Sequence, residues 1–242
     1  MSTGTGPTRR ERLRAQTLAE IKQHALTQIA QDGVEALSLM GVARTMGMSG
    51  PALYRYFGSR DDLLAALVAE AWGGLADAME AAAHAARRRG PAARFRAVAD
   101  AYRAWALEQP HRYRLALETD YGSGRFAPEA TLPAAGRAMA VMLNAVADLG
   151  PLPAPRPGAI RALDTQLERW VGTRAMRADL PPAAFEMAVL AWTRMHGTIS
   201  LELVGVFDSM GLDPALLHRA EIELLLAHHA ALSAAGDGPP PP

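Results

Sequence analysis

The sequence contains no cysteine. Disulfides, thiolate metal centres and cysteine nucleophiles are therefore excluded, and a reducing, cytoplasmic setting is expected. Long apolar runs are missing too. No stretch approaches the roughly 20 apolar residues of a membrane-spanning helix, and the apolar segment Ile199 to Phe207 is interrupted by Ser200 and Glu202. The first dozen residues are polar and basic with no apolar segment behind them, so neither a secretory leader nor a membrane partner is expected. No segment alternates polar and apolar residues long enough to make a strand, which leaves an all-α reading. Net charge is absent as well: 25 basic side chains balance 25 acidic ones, which argues against a protein that coats nucleic acid throughout.

Half of the residues are apolar, enough for one sizeable core and a small satellite domain. The charge, although balanced, is unevenly placed. Residues 1–60 carry Arg9, Arg10, Arg12, Arg14, Lys22, Arg44, Arg55 and Arg60 against Glu11, Glu20, Asp32 and Glu35. Eight minus four leaves +4 in that head, hence −4 in the remainder. A basic head on an acidic body is the asymmetry expected if only the head meets phosphates.

Residues 1–10 read as a disordered basic arm. Leu18, Ile21, Ala25 and Ile29 then recur at helical spacing, and Asp32-Gly33 ends that helix. Ser38 is suited to cap a short helix running to Met46, and Ser49 to cap a second one that carries Pro51 in its first turn and ends at Phe57. Ser59 and Asp62 have the spacing of a capping box for a long Ala- and Leu-rich helix to about Arg89. Further helices are expected at about 91–109, 110–119, 129–149, 158–171, 181–207 and 213–233. The breaks carry glycine and proline at Gly90-Pro91, Tyr121 to Gly124, Gly150 to Gly158 and Leu180-Pro181-Pro182. The organisation expected is an arm at 1–10, a head at 11–70, a larger body at 71–235 and a disordered tail at 236–242.

Two short helices joined by a tight turn at Gly47-Met48-Ser49 form a helix-turn-helix over residues 38–57. In such a motif the second helix enters the major groove while the first braces it. Leu39, Val42, Ala43, Met46, Met48, Leu53 and Phe57 are the inward positions. Gly50, Pro51, Tyr54 and Arg55 fall on the outward face. Arg55 has the donors for a bidentate pair to guanine. Tyr54 and Tyr56 suit phosphates or a thymine methyl. Ser38, Arg44, Ser49 and Arg60 sit where phosphate oxygens are well received. The competing reading is a plain packing unit, with the aromatic residues in a core.

Ile21, Ala25, Gly33, Val42-Ala43, Gly47-Met48-Ser49, Leu53-Tyr54, Tyr56-Phe57, Ser59-Arg60 and Asp62-Leu63-Leu64 resemble the N-terminal signature of TetR-family transcriptional regulators. The likeness covers about residues 11–70. It departs from the family pattern in two places: Arg60 stands where lysine is usual, and Ser38-Leu39 replaces a frequent Thr-Thr. The resemblance implies a homodimer that reads a palindromic double-stranded operator, with repression commoner than activation. It also implies a small-molecule effector held in the body. In that body Trp192, His196 and Gly197 resemble the Trp…His-Gly subclass of the family. The implied pocket lies under the fourth helix and against the long helix of 181–207. Its candidate lining is Trp72, Tyr102, Trp105, Met139, Met142, Trp170, Met176, Trp192, Met195 and His196, a set of flat aromatics and adaptable methionines suited to a hydrophobic ligand.

The last two long helices are apolar on more than one face, with Leu190, Ile199, Leu203, Phe207, Leu216, Ile222, Leu225 and Leu226. Pairing with a second copy through about 181–233 would cover them. Two rival readings stand beside this one. An enzyme is disfavoured because His24, His84, His111, His196, His218, His228 and His229 form no H-E-x-x-H pattern and no G-x-S-x-G or phosphate-binding glycine loop is present. No catalytic residue, metal or cofactor is expected. A ligand-sensing scaffold whose head binds a protein remains the alternative.

Overall fold

The computed structural model describes residues 6, 8–117, 131–152, 160–173, 177 and 179–236. Expectations that fall on the arm at 1–5, on Met176 and on the tail at 237–242 lie outside these residues. Among the described residues there are helices and turns and no strand. The chain divides into two compact units.

The first unit comprises residues 1–71 and 111–132. It opens with α1, Arg9–Asp32. This helix starts two residues before the expected Glu11 because Thr8 and Glu11 build a capping box. Glu11 N–H donates to Thr8 Oγ1 at 3.2 Å, and Thr8 N–H donates to the Glu11 carboxylate at 2.7 Å. Ile21, Ala25 and Ile29, one stripe at intervals of four, are its buried residues. A 3₁₀ turn, Val34–Ala36, precedes α2, Leu39–Thr45. Ser38 caps α2 through its hydroxyl, which accepts from Gly41 N–H at 3.3 Å.

Gly47, at φ +64°, makes the turn that α2 and α3 (Gly50–Tyr54) require. Ser49 departs from expectation: its side chain makes no capping bond, and its carbonyl alone takes the N–H groups of Ala52 and Leu53. Helix α4, Arg60–Ala85, is capped by Ser59, whose hydroxyl accepts from Asp62 N–H at 3.0 Å. Helix α6, Pro110–Leu117, belongs to this first unit from His111 onward, a membership its place in the sequence does not announce. Glu70 of α4 holds Lys22 of α1 at 2.8 Å and Arg112 of α6 at 3.5 Å.

The second unit comprises residues 72–110 and 133–242. It holds the later part of α4 and α5 (Pro91–Glu108), α7 (Leu132–Ala147), α8 (Arg161–Thr173), α9 (Pro182–Leu203), α10 (Val206–Ser209) and α11 (Pro214–Gly236). Helix α9 is its centre and packs against α5, α8, α10 and α11. Phe185, Met187, Met195 and Ile199 are buried along it. The expected single helix through Phe207 is interrupted: Gly205, at φ +74°, ends α9 and starts the short α10. Helix α5 buries Phe95, Val98, Tyr102 and Trp105, a stripe at helical spacing.

Ion pairs tie this unit together. Arg96 forks onto Glu223 at 2.6 and 2.7 Å, joining α5 to α11. Arg103 reaches Glu202 at 2.8 Å, joining α5 to α9. Arg94 pairs with Asp148, and Arg137 of α7 pairs with both Asp77 and Glu80 of α4. The contacts of Arg96 with Glu223, Arg103 with Glu202 and Arg137 with Glu80 are fork-shaped, the stronger kind of surface pair.

Candidate DNA-binding surface and effector pocket

In the first unit, Leu53 is wholly buried under α3 and Phe57 is nearly so. That side of the motif is therefore committed to the core. The opposite side faces outward: Tyr54 is 49% exposed, and Pro51 and Arg55 are exposed beside it. Ser38, Arg44 and Ser49 are exposed as well, whereas Gly50, Tyr56 and Arg60 are half-buried. Sequence reasoning missed Met40, which is 51% exposed on α2. A Cβ at Gly50 would stand 2.9 Å from Met40 Sδ, so Gly50 is small where the thioether lies over the start of α3.

Two of the expected contact residues have partners inside the protein. The Arg14 guanidinium lies 5.2 Å from the centre of the Tyr56 ring, a cation–π distance. Arg60 is tied more firmly. Its Nε donates to the Leu37 carbonyl at 3.0 Å, one terminal nitrogen donates to the Val34 carbonyl at 2.7 Å, and the other meets Asp61 at 3.3 Å. Gln28 holds the same loop from α1: its amide donates to Ala36 O at 3.1 Å and accepts from Ser38 N–H at 3.2 Å. Arg60 and Gln28 thus fix the backbone that leads into the cap of α2.

The second unit contains a cavity of about 390 Å³. Trp72, Leu75 and Met79 of α4 and Tyr102 of α5 form one part of its wall. Helix α7 gives Ala135, Gly136, Ala138, Met139 and Met142; α8 gives Trp170; α9 gives Val189, Trp192 and Met195. The structure thus brings together Trp72, Tyr102, Met139, Met142, Trp170, Trp192 and Met195 of the expected lining. Trp105 is not among them. It is buried against α4, where a Cβ at Gly74 would stand 3.3 Å from its Nε1, so its indole fills the space a side chain at 74 would need. His196 is behind the wall, stacked on Trp192 with centroids 5.9 Å apart and planes 13° from parallel. Glu202, a conceivable partner for His196, is taken by Arg103.

Leu75, Met79, Ala135, Gly136, Ala138 and Val189 were not foreseen. Their spacing was visible, but small and aliphatic residues on a helix face read equally well as ordinary core. Among the described residues no lining side chain is charged. Arg137, between two lining residues of α7, is held by Asp77 and Glu80; Arg137 keeps the Glu80 carboxyl below its ordinary range, and the two acids raise the guanidinium further.

On the same unit a set of large apolar side chains stays exposed: Leu201, Val204, Met210, Leu212, Leu216 and Leu224. Of the apolar residues expected to cover two faces, Ile199, Phe207, Ile222 and Leu225 are absorbed by the protein's own core, and Leu216 is 60% exposed. Among the described residues no group of acidic and histidine side chains is placed to hold a metal, and no helix is long and apolar enough to cross a membrane.

An all-helical chain with a helix-turn-helix head and a body enclosing an apolar cavity defines the class of one-component DNA-binding regulators. Comparison with known proteins agrees. Residues 21–67 match the bacterial regulatory proteins of the tetR family, and residues 95–225 match the tetracyclin repressor-like C-terminal domain. The chain belongs to the TetR family of transcriptional regulators. An HTH-type transcriptional regulator of Mycobacterium tuberculosis H37Rv is 29% identical over 231 residues, covering 90% of this chain and 94% of that protein. The crystal structure of the regulatory protein SCO4313 is 41% identical, covers 91% of this chain and 100% of its own, and superposes with a TM-score of 0.75. A tetR-family regulatory protein from Rhodococcus RHA1, 17% identical with a TM-score of 0.60, covers 88% of this chain and 96% of its own, and shares the fold. These are regulatory rather than catalytic relatives.

Proposed function

We propose that the chain acts in the bacterial cytoplasm as a homodimeric repressor that reads a palindromic operator and releases it when a small apolar effector enters the body. The observation that carries this reading is the two-sided chemistry of α3: Leu53 is fully buried while Pro51, Tyr54 and Arg55 stand outward. A packing helix would bury its aromatic residue. In the proposed complex Arg55 pairs with a guanine, Tyr54 meets a phosphate or a thymine methyl, and Ser38, Arg44, Ser49 and Tyr56 hold the backbone. Gly50 and Pro51 keep the helix start narrow enough to approach the bases. Arg60 is assigned a positioning role, holding the Val34 to Leu37 backbone rather than a phosphate.

The exposed apolar residues Leu201, Val204, Met210, Leu212, Leu216 and Leu224, gathered on the end of α9, the segment after it and α11, support pairing with a second copy that covers them. To read a palindrome, such a dimer has to present two α3 helices about one turn of DNA apart or slightly more, roughly 34–36 Å for one turn. Helix α4 supplies both Arg60, which grips the loop before α2, and Trp72, Leu75 and Met79 in the cavity wall. An effector that prefers one position of α4 therefore changes the population of DNA-competent dimers.

The test is a mobility-shift titration of purified protein on the DNA upstream of its own gene, repeated at several salt concentrations. The reading predicts tight, saturable retardation that weakens steeply as salt rises, because each neutralised phosphate releases counterions. Binding that is absent, or that does not respond to salt, favours the protein-binding scaffold instead.

A further inference from the structure

The cavity wall has a chemistry of its own. Three of the chain's four tryptophans, Trp72, Trp170 and Trp192, reach it from three different helices. Helix α7 gives the small Ala135, Gly136 and Ala138 together with the adaptable Met139 and Met142. A Cβ built at Gly136 meets no atom within 4 Å, so the space beside that glycine is open. Three flat indoles, with methionines that adapt to what lies beside them, favour a flat occupant, which gains dispersion and offset-stacking contact.

Among the described residues the same wall carries no charge, so none of these side chains neutralises a carboxylate, sulfonate or phosphate, and burying such a group unpaired is strongly unfavourable. The adjacent cation, Arg137, is held by Asp77 and Glu80. The volume of about 390 Å³ lies at the small end of the roughly 300–1,000 Å³ typical of ligand pockets.

We propose that the effector of this cavity is a compact, uncharged, flat aromatic molecule and that anionic ligands are rejected. The proposal rests on the reading of the cavity as the effector site. The experiment uses a matched pair of fluorescent probes on the full-length protein: N-phenyl-1-naphthylamine, which is uncharged, and 8-anilinonaphthalene-1-sulfonate, the same ring system with a sulfonate. Both are titrated with probe emission and tryptophan emission as readouts. The same titrations are run on Gly136→Phe and Val189→Phe, which fill the cavity from α7 and from α9, after circular dichroism and thermal melting have shown that each is folded.

The uncharged probe is expected to bind at least about tenfold more tightly than the sulfonate, to quench tryptophan emission, and to lose at least about tenfold in affinity in a folded cavity-filling variant. If the sulfonate binds as tightly as its neutral twin and is displaced by the same substitutions, the cavity is a ligand site but the assignment of ligand class is overturned. If neither probe binds, or if binding ignores both substitutions, the cavity is not a ligand site and the effector reading falls with the proposal.

Discussion

In the head, Arg44 and Arg55 stand exposed around α3, with no role in holding helices together that the structure reveals. In the body, Arg94, Arg96, Arg103 and Arg137 are each matched by a carboxylate on another segment. The two regions therefore use the same residue type for opposite ends. Body arginines join helices and leave the interior neutral, so what the body has to offer a partner is apolar: a cavity and a patch of exposed leucines. In the head, Arg44 and Arg55 face outward, where they are available to a partner outside the chain. Arg60 is the exception that sharpens the contrast, since it lies in the basic head but behaves as a body arginine.

Breaking the apolar patch should have the largest effect. Leu216→Asp with Leu224→Asp introduces two charges on an exposed face of α11. Sedimentation should then show monomers, and operator affinity should fall on the order of a thousandfold or more because each monomer brings half of the phosphate contacts. A dimer that survives both changes would place the interface elsewhere. Next is Arg60→Ala. Losing charged hydrogen bonds to two backbone carbonyls should cost about 1.5–3 kcal/mol for the stronger of them, visible as a lower melting temperature. Affinity should drop alike for every DNA sequence. A variant with unchanged melting but weakened DNA binding would return Arg60 to the role of a phosphate contact.

A smaller effect separates Gly73 from Gly74, neighbours in the middle of α4. A Cβ at Gly73 meets nothing within 4 Å, whereas one at Gly74 comes within 3.3 Å of Trp105 Nε1. Gly73→Ala should therefore stabilise the protein by up to about 1 kcal/mol through helix propensity, and Gly74→Ala should not. Equal effects in thermal or urea melting would contradict the packing described for Trp105. If α4 carries the effector signal, Gly73→Ala should also blunt ligand-dependent release of DNA.

The smallest effect concerns pH. His218 is buried beside Asp100, with Arg103 and Glu202 near; burial lowers its pKa, and Asp100 offsets part of that. His229 is lowered by burial too, partly offset by its contact with the Gly150 carbonyl, and His228 lowers it slightly more. The unfolded chain protonates these imidazoles near about pH 6.5, before the folded protein does. Stability should therefore decline as pH falls through that value and level off once the depressed native pKa values are passed. Urea melts of the wild type and of His218→Gln across this window check it: the variant should show a flatter dependence, and an unchanged slope would remove His218 from the account.

How much of this was written in the sequence follows the same division between head and body. The helix-turn-helix was legible because its signals are local: Ser38 before α2, Gly47 at the turn, Pro51 in the first turn of α3. Even there, Thr8 and Glu11 held an unread capping box, and Ser49 was assigned a side-chain bond it does not make. Arg60 was read by analogy with a phosphate-binding lysine, and nothing in its neighbours in sequence announces that Val34 and Leu37 turn their carbonyls toward it. In the body, tryptophan and methionine marked much of the cavity wall, because large residues on apolar faces must go somewhere. Gly136 and Ala138 gave no such signal, because a small residue facing a cavity and one packed against a helix look alike in sequence. Which apolar residues of α9 and α11 stay outside, Leu224 rather than Leu225 for instance, depends on helix rotation that only tertiary packing sets.

The central claim is that the outward face of α3 reads base pairs. Selection of bound sequences from a random DNA pool, carried out in parallel with the wild type and Arg55→Ala, tests it most directly. The account predicts a palindrome with two half-sites about one helical turn apart, and in the variant a loss of preference at a single position of each half-site, worth about 1–3 kcal/mol of discrimination. No enriched motif, or the same motif unchanged in the variant, would contradict it.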